Sequence, residues 1–144
     1  MTDIYRPGLR IMSPLWWEEG PPLGLLLLDA EGGSAFDLAD LVVADLVGEL
    51  SVPGYARQVP VASPPTWDAG SGTWTLAGAG VSFGHLGAGV PEDPTVGAVV
   101  LFGQGDDDES SQLLAYQAVS VQLDSTELFV PVPSGFAVVR QGAP

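Results

Sequence analysis

Apolar residues in this chain fall into short blocks separated by glycine and proline. The most apolar block, residues 23–28, holds five leucines in six positions and no polar residue. Such a run has no face to offer water, so it reads as a strand buried on both sides. A turn follows over 29–33. Residues 96–102 share the unbroken apolar character, and 113–121 read as their hairpin partner. Residues 73–76 and 80–83 are two further short strands. In 55–62 a period of two places Tyr55, Arg57, Val59 and Val61 on one face of a strand. The pattern closes with a hairpin of 127–132 and 135–140 across Pro133 and Ser134, and loops occupy 63–71 and 84–94.

One segment follows a helical period instead. Phe36, Val42, Val43, Leu46, Val47 and Leu50 share a face at 3.6 spacing, while Asp37, Asp40 and Asp45 share the other. Ser34 can cap this helix, Asp37 suits its first turn, and Gly48, Pro53 and Gly54 end it. Residues 1–22 read as an extended N-terminal arm, because Pro7, Gly8, Pro14, Gly20, Pro21 and Pro22 oppose helix. The arm is nevertheless apolar, with Ile4, Tyr5, Ile11, Trp16 and Trp17. It either folds back on its own domain or docks on a neighbouring subunit. Trp16 and Trp17 would face opposite sides of an extended chain, so one needs a partner to cover it. The expected fold is mainly β: a β-sandwich or open barrel of about seven or eight short strands with one helix, built as an arm over 1–22 and a single β-rich domain over 23–144.

Composition narrows the function. The chain has 144 residues, 46% hydrophobic and 15% charged, which is too apolar for a disordered acidic tail. Eighteen acids oppose four bases, a formal net charge of −14; the bases are Arg6, Arg10, Arg57 and Arg140, with no lysine. That balance argues against nucleic acid and against anionic membrane surfaces. No apolar run approaches the about 20 residues of a membrane-spanning helix. There is no cysteine and only one histidine, His85.

The remaining constellations are weak. Asp106, Asp107, Asp108 and Glu109 form an acidic run without the alternating order of a calcium-binding loop. It reads as a solvated loop tip, with a weak cation site as the alternative. Ser82, His85 and Asp93 can be drawn as a triad, but no nucleophile elbow accompanies them. Glu18 with Glu19, and Glu92 with Asp93, are only sequence neighbours. Gly78, Gly80, Gly84, Gly87 and Gly89 lack a phosphate-binding spacing. The expectation is a non-enzymatic protein without cofactor. Trp67 and Trp74 are expected to pack inside the sandwich, while Trp16 and Trp17 suit an interface first, the domain's own core second and carbohydrate stacking third.

The order of segments resembles a known family. Leucines 25–28, then a turn, then the acidic-apolar stretch 39–50 ending in Gly48-Glu49-Leu50, then Gly54-Tyr55-Ala56-Arg57, resemble small virion structural proteins of tailed bacteriophages. Thr73-Trp74, Val81-Ser82-Phe83, the pair 96–102 and 113–116, and the stretches 129–132 and 135–136 are similar to that family's later strands. The Trp-rich arm and Pro53 depart from the pattern. The resemblance implies a virion component, expected to be a capsid decoration or cement protein on the outer surface of the capsid. Such a protein is made in the host cytoplasm, bridges and stabilises capsid subunits, and forms homo-oligomers on the particle. Its expected partners are the major capsid protein or other virion proteins. Tyr5, Arg6, Arg10, Ile11, Trp16, Trp17 and Arg57 are the expected partner contacts. A tail, baseplate or neck component is the alternative, and a carbohydrate-binding or host-recognition module a second one.

Overall fold

The fold is built around a strand that has to be covered on every side. The computed structural model describes residues 2–8, 14–19, 21–62, 66–70, 73–75 and 78–130. In chain order they form β1 (Thr2–Ile4), α1 (Pro14–Glu19), β2 (Leu23–Asp29), a 3-10 helix (Val43–Asp45), β3 (Val61–Ala62), β4 (Thr66–Asp68), β5 (Thr73–Thr75), β6 (Gly78–Ala79), β7 (Val81–His85), β8 (Thr95–Gly103), β9 (Gln112–Gln122) and β10 (Glu127–Val130). The central sheet is antiparallel, in the order β1-β9-β8-β2. Three two-stranded pairs accompany it: β7 with β10, β3 with β6, and β4 with β5. The chain is mainly β, as the patterning predicts. Among the described residues no helix is long and apolar enough to cross a membrane.

Both faces of the central sheet are buried. Leu25 and Leu27 point into one apolar cluster with Val99, Leu101 and Leu114, capped by Phe83, Leu86, Leu123 and Val130. Leu26 and Leu28 point into a second cluster with Val100, Phe102, Leu113 and Tyr116. This alternation is the pleat acting on an all-leucine strand, and it explains why β2 tolerates no polar residue before Asp29. Gly24 is required by the same packing. It pairs with Phe102 across β2 and β8, and the Phe102 ring lies where a Cβ at position 24 would sit.

Several sequence expectations are corrected here. Residues 36–50 are not a helix. They form turns, a bridge at Val42 and the short 3-10 helix, with Gly48 at a positive φ of 79°. The physical reason lies at the outer edge of β2. Asp29 N–H donates to the Gly48 carbonyl at 2.8 Å, Leu50 N–H to the Leu27 carbonyl at 2.9 Å, and Leu25 N–H to the Gln58 carbonyl at 2.8 Å. A helix would satisfy only its own backbone and leave that edge unpaired, and an open strand edge costs more than a helical period gains. On its other side the segment binds the start of β9: Leu113 N–H donates to the Leu41 carbonyl at 3.0 Å. The Asp45 carboxylate accepts from the N–H groups of Leu41 and Val42, which holds its pKa below the usual carboxylate range. For the same reason 55–62 is a strand only at Val61–Ala62, with a single bridge at Gln58. The loop expected over 63–71 contains β4, paired in register with β5 so that Trp67 opposes Trp74.

The described part of the N-terminal arm takes the first of its two alternatives and folds back on its own domain; the correction there is the helix α1. Residues 2–4 are an edge strand of the central sheet, with Thr2 opposite Gln117 and Ile4 opposite Ala115. Tyr5 follows and is 0% exposed. Its ring packs between Phe36 and Tyr116, at centroid separations of 4.9 and 6.3 Å. Among the described residues the one α-helix is α1, inside the arm. Pro14 opens it, at the position where a helix needs no N–H. Trp16 and Trp17 are half-buried against the first cluster and meet edge to face, with ring centroids 5.2 Å apart. The described part of 1–22 therefore belongs to this domain's own core. The expected partner strand over 135–140 lies outside the described residues; among them β10 pairs with β7.

The Tyr5 hydroxyl is buried without a hydrogen-bond partner among the described residues. Burial, with Asp40 as the next contributor, drives its pKa far above the ordinary phenol value. An unsatisfied buried hydroxyl costs about 1–3 kcal/mol, so Tyr5→Phe is expected to raise stability by about 1 kcal/mol. Tyr5→Ala is expected to remove about 3–5 kcal/mol by opening a cavity between the two layers. Urea denaturation of the full chain measures both; a Tyr5→Phe variant less stable than the parent would contradict the assignment.

Candidate functional site

The segment that closes the edge of β2 also carries charged side chains to a defined place. Glu49 follows Gly48, and Tyr55 and Arg57 both follow the turn at Pro53 and Gly54. The Tyr55 ring stacks on Phe83 at 6.0 Å, nearly parallel. Its hydroxyl accepts from the Leu27 N–H at 3.1 Å and donates to Glu49 Oε2 at 2.6 Å. Tyr55 is therefore tied to β2 and to Glu49 at once. Burial first, and the Glu49 hydrogen bond second, push its phenol well above the ordinary value.

Arg57 is held from three directions. It donates to Glu49 through Nε at 2.9 Å and Nη2 at 2.7 Å. It donates to Asp108 through Nη1 at 2.7 Å and Nη2 at 3.2 Å. The guanidinium also lies over the Phe102 ring, 5.5 Å from its centroid. Two bidentate carboxylates and an aromatic face are the arrangement that arginine's planar fork suits best. The carboxylate hydrogen bonds hold Arg57 charged, and Arg57 in turn holds the Asp108 carboxyl below its usual range. Gly24, Phe102 and Arg57 thus form a stack: the missing side chain at 24 admits the Phe102 ring, and that ring carries the guanidinium.

Beside this network is an open cleft of about 660 Å³. Leu26 and Leu28 line it together with Val43 and Leu46, and Glu49, Arg57, Asp107, Asp108 and Glu109 supply its charged lining. The acidic loop keeps its shape by local bonds. Ser110 N–H donates to Asp107 Oδ1 at 2.9 Å, and the Ser111 hydroxyl donates to the Asp107 carbonyl at 2.7 Å. The Ala44 N–H donates to the Asp108 carbonyl at 3.0 Å, which ties the loop to the 3-10 helix.

The expected site residues scatter rather than assemble. Tyr5 is a core residue and has no surface to give a partner. Arg6 is exposed; Trp16 and Trp17 are half-buried at the domain's own surface. Arg10 and Ile11 lie outside the described residues. Arg57 is paired within the chain instead of reaching outward. Asp106, Asp107, Asp108 and Glu109 do not gather into a ligand set, and among the described residues no group of three or more His, Cys, Asp or Glu could hold a metal ion. Ser82, His85 and Asp93 do not meet as a triad. Ser82 donates to Glu127, His85 Nδ1 contacts the Ser125 carbonyl at 3.1 Å, and the Asp93 carboxylate accepts from the N–H groups of Ala88 and Val90.

Glu49 and Tyr55 are the members that sequence reading missed. One signal was present: with eighteen acids and four arginines, an arginine is met by internal carboxylates as readily as by a partner's. No protein-family profile, curated protein sequence or solved structure matches the chain.

Removing Arg57 leaves Glu49 and Asp108 facing each other without a counter-ion. Arg57→Met is expected to cost about 1–3 kcal/mol in urea denaturation. The pH dependence has a defined sign. Because the folded state holds the Asp108 carboxyl below its unfolded value, the contribution is complete above about pH 4 and is lost as pH falls through the folded value. The Arg57→Met variant should therefore lose less stability on acidification than the parent. Parallel acid limbs in the two proteins would contradict the network's role.

Proposed function

We propose that this chain is a non-enzymatic structural protein of a tailed-phage particle, a decoration or cement protein that sits on the capsid and stabilises it through protein contacts. The observation that carries the reading is the arrangement of charge on the fold. Asp37, Asp106, Asp107, Asp108, Glu109, Asp124 and Glu127 face solvent, while Arg57 is drawn into the domain by Glu49 and Asp108. With a net charge of −14, such a surface repels packaged nucleic acid and suits the outside of a shell. The order of sequence blocks described above supports the same reading, since it resembles small virion proteins. Val47, Val59 and Phe129, each more than 60% exposed, supply apolar contact area between the acids.

The described N-terminal residues support a revised mode of attachment. Because β1 and Tyr5 complete the domain's core, bridging falls to the loops and strand edges of the folded domain and not to a free arm. Many weak contacts repeated by symmetry give such a protein its avidity.

Quantitative mass spectrometry of washed virions tests the proposal through copy number relative to the major capsid protein. A ratio of one, or a simple fraction of one, is the expected outcome. A handful of copies per particle would move the protein to the tail or neck, and absence from washed particles would overturn the virion reading.

A further inference from the structure

We draw no further inference here: the strongest candidate, the apolar groove between β9 and β10 lined by Val119, Val121, Leu128 and Phe129, carries none, because nothing in the structure shows what covers it.

Discussion

The constraint on which the structure depends is the two-sided burial of β2. A strand of leucines cannot expose either face, and its backbone cannot leave either edge unpaired. Four different parts of the chain meet these needs. Strand β8 pairs one edge, and the segment from Gly48 to Gln58 closes the other. The β7–β10 pair covers one face through Phe83 and Val130. Tyr5, Phe36 and Val43 cover the other. Fully burying each leucine contributes on the order of 2 kcal/mol before ordering costs.

The candidate site is a consequence of this closure. The segment that seals the edge of β2 has no regular structure, so its side chains are placed by individual hydrogen bonds. Leu27 N–H fixes the Tyr55 hydroxyl, Tyr55 fixes Glu49, and Glu49 fixes Arg57. Arg57 then reaches across to Asp108 and holds the acidic loop beside the 3-10 helix. The cleft lies where these two loops stand apart above the outer face of β2. Its acidic lining and the buried leucines beneath it therefore share one structural cause: leucines that must be covered, and charged loops that cover them.

Much of the fold was legible in the sequence where one rule acted alone. The strands β2, β8 and β9 follow from unbroken apolar runs, and the β8–β9 hairpin from their spacing across a polar loop. The helix expected over 36–50 failed because two rules competed. Of the residues on the 3.6 period, Phe36, Val43 and Leu46 do pack on one face of the sheet. They reach it from an irregular segment, since the backbone was needed to close β2. In the N-terminal segment the prolines ruled out a long helix, but Pro14 is tolerated as a first helical residue, and six residues suffice for α1. Of the site, Arg57 was visible as an unusual residue and its partners were not, because Glu49 and Asp108 are 59 positions apart in sequence and only the closed fold brings them together.

The central claim is that the N-terminal strand, the segment at 48–58 and the central sheet form one cooperative unit around β2. Native-state hydrogen exchange on the full-length chain tests it most directly. The account predicts that the amides of Tyr5, Leu50 and Gln58 are protected to nearly the same free energy as those of Leu26 and Val100, and that all lose protection together as denaturant is added. Free exchange at Tyr5 and Leu50 while Leu26 and Val100 stay protected would contradict it. The covering segments would then be additions to an independently stable sheet, not parts of what makes it stable.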